Sequence, residues 1–235
     1  MTRLLKVCFS YLFLLLFVSS FSFASDLFLK DLVSNLKANQ DKIKDMYCEM
    51  NTTIRQGTGS PMTQSAKMWT KGEDKSRMEM ESPVKQTVIR NGDKSAIIDS
   101  SGHKTVNDVN NSTMGSMGSQ SKIDIEKLKK AFDPKVKATD DGYIIEGTPK
   151  EKNQFLGKME IYIDSENWVS TKILIYDTHD KVITQTQIDY KEISGAFVPV
   201  KSLTESKTMG MNMTIDVKFE NVKVNQGISD SKFEI

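Results

Sequence analysis

The sequence predicts a mainly β protein of the α+β kind: an antiparallel sheet of about 11–12 strands with two helices. Three observations predict it. Apolar and polar residues alternate with a period of two through many short runs, as in Met46-Tyr-Cys-Glu-Met-Asn-Thr-Thr-Ile54. That is the pattern of a strand with one buried face. Turn-forming residues separate the runs at hairpin spacing, and Asn91-Gly92 is the strongest example, because both residue types tolerate positive φ. Short connections require antiparallel pairing, since parallel strands need long crossovers. Finally, one stretch breaks the alternation. Asn110 to Ser119 is polar and carries Met114 and Met117, and Ile123 to Phe132 has a helical pattern. An amphipathic helix inserted midway through a sheet is either a plug or a lid.

Taken in order, the chain opens with Arg3 and Lys6, an apolar run from Val7 to Val18, and Ser22-Phe23-Ala24. A charged start, a short apolar core and small residues describe a secretory leader, residues 1–24, with cleavage after Ala24. The run is too short for a typical membrane span of about 20 residues. Cys8 lies inside it, so Cys48 is the one cysteine after cleavage. No disulfide can form within such a chain, and a small buried residue on a strand is the plain reading of Cys48.

Ser25 or Asp26 can cap a first helix. Leu29, Leu32, Val33 and Leu36 fall at i, i+3, i+4 and i+7 on one face, and the helix ends near Asn39 to Asp41. Hairpin strands follow from Met46 to Asn107, with Met50, Met78 and Met80 on apolar faces. After the insertion, Asp133-Pro134 stops the helix. Strands then resume at Lys135 and run to Val222. In these later strands one parity is apolar: Met159, Ile161 and Ile163; Val169, Ile173 and Ile175; Met213, Ile215, Val217 and Phe219. The other parity carries Lys158, Glu160 and Asp164, then Asn212, Asp216, Lys218 and Glu220. One face is therefore apolar and the other wet. On this reading Met213 is buried, and Met213→Asp is expected to destabilise the sheet by several kcal/mol. A sheet of this size must split or curl, and the two helices are available to cover its apolar face. Residues 25–235 read as a single domain.

Composition narrows the function. Lys and Arg number 32 and Asp and Glu 31. Loss of Arg3 and Lys6 takes the balance from 32 − 31 = +1 to 30 − 31 = −1. Nucleic-acid binding calls for a strong basic excess, so no nucleic-acid partner is expected. The two histidines, His103 and His179, stand in turn sequences without metal-ligand spacing. No nucleophile elbow, phosphate loop or paired-carboxylate motif appears. The sequence thus predicts no enzyme, no catalytic residue, no metal site and no cofactor. Methionine, at 13, is the unusual residue. It suits a surface that meets varied apolar partners. Met114-Gly-Ser-Met117 and Met209-Gly-Met-Asn-Met213 also have the look of thioether clusters for copper(I), which is a separate reading.

Three groups of residues carry a resemblance: Lys75-Ser-Arg77-Met-Glu-Met80, then Asp189-Tyr190 with Gly195 and Pro199, and Asn221-Val-Lys-Val-Asn-Gln-Gly-Ile-Ser-Asp-Ser-Lys-Phe233. Together and in this order they resemble the bacterial outer-membrane lipoprotein carrier family, the LolA type, over roughly Ser25 to Ile235. The resemblance implies an unclosed antiparallel β-barrel with a helical lid, the insertion 110–133, over an apolar cavity. It implies a periplasmic, non-enzymatic, monomeric carrier that shields the acyl chains of lipoproteins or other lipids between inner and outer membranes. Its partners would be an inner-membrane release complex and an outer-membrane receptor. The expected lipid-binding residues are Met50, Met78, Met80, Ile123, Ile125, Leu128, Phe132, Met159, Ile161, Ile173, Ile175, Met213 and Ile215. The alternative within the same fold is a lipid or lipoprotein sensor that acts through a protein partner. Family members latch lid to barrel with an arginine in a Lys-Arg-Pro context, and here that place reads Lys71-Gly72-Glu73.

Overall fold

The computed structural model describes residues 20–108, 125–152, 154–208 and 210–235. Residues 1–19, most of the expected leader, lie outside them, as do Ile123, Met114, Met117 and Met209. Among the described residues no helix is long and apolar enough to cross a membrane.

The first helix, α1, runs from Ser20 to Gln40. It ends where the sequence predicts but begins before Ser25, because no Gly or Pro interrupts Ser20 to Ala24. Six strands follow: β1 (Asp45–Gln56), β2 (Met62–Lys71), β3 (Lys75–Ser82), β4 (Gln86–Asn91), β5 (Lys94–Ile98) and β6 (Lys104–Asp108). A short helix, α2 (Ile125–Ala131), precedes β7 (Phe132–Thr139), β8 (Gly142–Pro149), β9 (Lys158–Asp164), β10 (Val169–Tyr176), β11 (Val182–Ile193), β12 (Ala196–Thr208) and β13 (Met211–Val224). A 3-10 turn, Asp230–Phe233, closes the chain. The strand count slightly exceeds the expectation, since strands of five or six residues such as β5 and β6 carry little periodicity.

All thirteen strands form one unclosed antiparallel sheet, in the order β6-β5-β4-β3-β2-β1-β13-β12-β11-β10-β9-β8-β7. Each half is a meander of hairpins, and β1 against β13 joins the halves. The free edges are β6 and β7, so the insertion connects one edge of the sheet to the other. Phe132 belongs to β7 rather than to the inserted helix, and Pro134, read as the stop of that helix, lies within the same strand. Proline is tolerated there because an edge strand has one unpaired side.

The turns are built from side-chain caps. Asp164 Oδ1 accepts from the backbone amides of Glu166 and Asn167 at 2.7 and 3.2 Å. This tight turn puts Trp168 at φ 52°, and stacking on Tyr143 at 5.8 Å helps to hold it. Gly142 has φ 146°, and a Cβ there would overlap the carbonyl oxygen of Ile163. No other residue type fits that position.

Asp45 is the main polar anchor. It is buried, and its carboxylate accepts from Gln226 N at 2.8 Å, Gly227 N at 2.9 Å and Ile228 N at 3.4 Å. Asp45→Ala would strand buried amides and is expected to cost about 2–3 kcal/mol, read as a lower urea midpoint at unchanged slope.

Candidate functional site

Directly opposed residues on paired strands share a face of the sheet, so the register identifies that face residue by residue. One row runs Ile54–Ile215–Thr204–Thr186–Ile173–Ile161–Ile145–Val136 across β1, β13, β12, β11, β10, β9, β8 and β7. In the other direction Cys48, Met68, Met78, Val88 and Ile97 are opposed across β1 to β5, as are Met50, Ala66 and Met80 across β1 to β3. This is the inner face.

The helices cover only part of it. Leu29, Leu32 and Leu36 of α1 and Leu128 of α2 form a buried cluster with Ile145, Ile161 and Ile163. Phe132, Val136, Tyr143, Met159, Trp168 and Ile173 pack against that cluster. Both helices therefore sit over β7 to β10. The second cluster, around Met46, Cys48, Met68 and Val224, closes the lower part of β1, β2 and β13, with Met50 and Phe219 at its border. Beyond it, Ile54, Ala66, Met78, Met80, Val88, Ile97 and Ile215 are half-buried. A methionine-bearing patch thus lies on β1 to β5 and β13 without a described helix above it.

The expected lipid-binding residues fall into two groups. Met50, Met78, Met80 and Ile215 line the patch. Leu128, Phe132, Met159, Ile161 and Ile173 lie in or against the α1 cluster, and Ile175 stands beside them on β10. Ile125 opens α2, and Ile123 is outside the described residues. Met213 is on the predicted face but 37% exposed at the start of β13. The large cost expected for Met213→Asp therefore does not apply. Parity predicted its face, but a strand end reaches past the packed region.

Two further departures concern the faces themselves. Thr184, Thr186, Ser202, Thr204 and Ser206 stand on the inner face, so a hydroxyl band interrupts the apolar surface. On the outer face Ile89, Ala96 and Phe233 are fully or almost fully buried. Here the 3-10 turn packs on β3 and β4. Lys71 and Lys75 bind Asp230 at 3.1 and 2.9 Å. The Arg77 guanidinium donates to the Lys232 carbonyl oxygen at 3.4 Å and pairs with Glu79 at 2.7 Å, while the Lys232 ammonium lies 3.7 Å above Trp69. The motif stretches 75–80 and 221–233 therefore meet: their charged residues clasp the tail outside the barrel, and Met78 and Met80 point inside.

The chemistry available is limited. Burial first, and then Glu49, push the Cys48 thiol up to about 12, which leaves it inert at neutral pH. His179 lies in a turn whose Asp177 accepts from the His179 and Lys181 amides. Among the described residues no group of three His, Cys, Asp or Glu could hold a metal. A second polar network on the outer face centres on Glu160. Glu160 accepts from Tyr176 at 2.8 Å, Tyr162 at 3.0 Å and Lys158 at 3.1 Å. Burial works to raise the Glu160 pKa, but these donors outweigh it and hold the carboxyl low. A depressed carboxylate stabilises the fold above its ordinary pKa, and that stability is lost as pH falls. Wild type is therefore expected to lose melting temperature below pH 4.5 more steeply than Glu160→Gln, as read in parallel thermal melts.

This architecture has relatives among solved structures. A DUF1329 family protein from Desulfovibrio piger superposes with a TM-score of 0.63 at 19% identity, covering 87% of this chain and 95% of that one. A putative outer membrane lipoprotein-sorting protein domain from Vibrio parahaemolyticus gives 0.61 at 11% identity, with 86% and 95% covered. A LolA superfamily protein from Nitrosomonas europaea gives 0.57 at 13% identity, with 86% and 96% covered. The chain has the open-barrel fold of the LolA superfamily. It belongs to the family whose model, described as "-like: Uncharacterized protein", matches residues 101–235. A comparison with curated proteins finds no match.

Proposed function

We propose that this protein is a periplasmic lipid carrier without enzymatic activity, holding the acyl chains of lipoproteins on the methionine-bearing inner face during transfer between membranes. The observation that carries this reading is the division of the inner face. Over β7 to β10 it is packed by α1 and Leu128, whereas Met50, Met78, Met80, Ile54 and Ile215 form a half-buried apolar patch on the same face. The fold shared with a lipoprotein-sorting domain supports the same role.

Elementary energetics agree. Moving an acyl chain from a bilayer into water costs about 0.8 kcal/mol per methylene, on the order of 12 kcal/mol for a sixteen-carbon chain. A surface about as apolar as the bilayer removes most of that barrier without chemistry. Methionine is well suited to it, because an unbranched thioether side chain adapts to chains of different shape. Cleavage after Ala24 would release residues 25–235 as a single soluble domain.

Native mass spectrometry of the mature protein purified from the periplasm tests the proposal. Acylated adducts are the expected result. Protein that is uniformly free of lipid, and that fails to take up lipoprotein in a detergent-free release assay, would exclude a carrier.

A further inference from the structure

The hydroxyl band on β11 and β12 is not explained by an acyl-chain surface alone. Thr186 Oγ1 lies 2.9 Å from Thr204 Oγ1, and Thr184 Oγ1 lies 3.1 Å from Ser206 Oγ. With Ser202 these residues are half-buried and share the inner face with Ile215 and Met213 across the β12–β13 pairing. Two hydroxyls carry two protons, and the bond between Thr186 and Thr204 uses one. The second proton has no partner among the described residues. Neighbouring strands are about 4.8 Å apart. This donor is therefore one or two strands from the apolar patch at Ile215 and Ile54.

We infer that the band reads the polar end of the ligand: the carbonyl of an acyl ester or amide accepts from the Thr186–Thr204 pair while its hydrocarbon lies over β13, β1 and β3. Hydrocarbon alone would gain nothing from hydroxyls, which must stay hydrogen-bonded when covered. A carbonyl supplies the missing acceptor at the boundary between polar and apolar surface. The band thus turns a general apolar face into a site for acyl lipids over other hydrophobic molecules, and it fixes how far the chain slides along the sheet. The inference rests on the carrier reading.

The test compares two probes, pyrene-labelled dipalmitoylglycerol and its dihexadecyl ether counterpart, which lacks the carbonyls. Each is titrated into the mature wild-type protein and the double variant Thr186→Val, Thr204→Val. Wild type is expected to prefer the ester by roughly tenfold, the factor of one to two hydrogen bonds. The double variant keeps the side-chain shape and is expected to bind both probes within about twofold of each other. Thr186→Ser, which retains the hydroxyl, should keep the preference. Equal binding of the two probes by wild type would overturn the inference and leave the carrier reading intact. So would a parallel loss of both probes in the variant, which is what an ordinary stabilising cross-strand threonine pair predicts. If wild type takes up neither probe, the carrier reading itself fails, and the inference with it.

Discussion

If the inner face holds acyl chains as proposed, replacing Met78 and Met80 together by aspartate is expected to abolish their capture while leaving the melting temperature within a few degrees of wild type. Both side chains lie on the inner face of β3, opposite Val88 and Gln86 on one side and Met68 and Ala66 on the other. They are half-buried, so in the free protein a carboxylate at either position keeps contact with water. A bound chain would remove that water, and Arg90, the cation on the same face of β4, stands opposite Ser76 rather than opposite either aspartate. Covering an unpaired carboxylate with hydrocarbon costs at least about 3 kcal/mol, which corresponds to a loss of more than about 100-fold in affinity. Titration with a fluorescent acyl probe, alongside a thermal melt, separates the two effects. Retained binding would remove this patch from the site. Loss of binding together with a collapsed melt would mean that the patch is packed core.

The largest effect on stability is expected from Phe233→Ala. Phe233 is fully buried although it is the third residue from the end of this sequence, and the 3-10 turn that carries it packs on β3 and β4. Truncating a buried phenylalanine typically costs about 3–5 kcal/mol. For a domain of this size that lowers the melting temperature by on the order of 10 °C. The surrounding ion pairs contribute less. Asp230 is exposed, and salt should screen its contacts with Lys71 and Lys75. Lys71→Met with Lys75→Met should therefore shift the melt far less than Phe233→Ala. A Phe233→Ala shift under about 2 °C would show that the tail is only loosely attached.

The same residues indicate how much was legible beforehand. The alternation in β1, β9, β10 and β13 predicted which residues share the inner face, and the register bears this out along the row from Ile54 to Val136, but not at the start of β10, where a bulge pairs Val169 with Asp164 and Ser170 with Ile163. Asn91-Gly92 joins β4 to β5 as its turn chemistry requires. Leu29, Leu32 and Leu36 form the buried stripe of α1 as their spacing predicts. Periodicity could not predict the hydroxyl band, because β11 and β12 contribute serine and threonine at positions where their neighbours contribute isoleucine. Nor could it foresee that Phe132 starts an edge strand, since Ile123 to Phe132 satisfies a helical pattern locally. The exposure of Met213 escaped for a related reason: parity gives a direction, not a depth.

By itself, then, the sequence determined the antiparallel β architecture and the stripe on the first helix. These follow from local spacing, turn residues and composition, each readable within a few residues. The tertiary structure decided the strand order, the joining of the two sheet edges by the insertion, the half of the inner face that α1 and Leu128 fill, and the meeting of Lys75 to Met80 with the tail at Phe233. Those features depend on which strands become neighbours across gaps of more than a hundred residues. A period of two specifies a face for each strand but carries no record of what will stand opposite it.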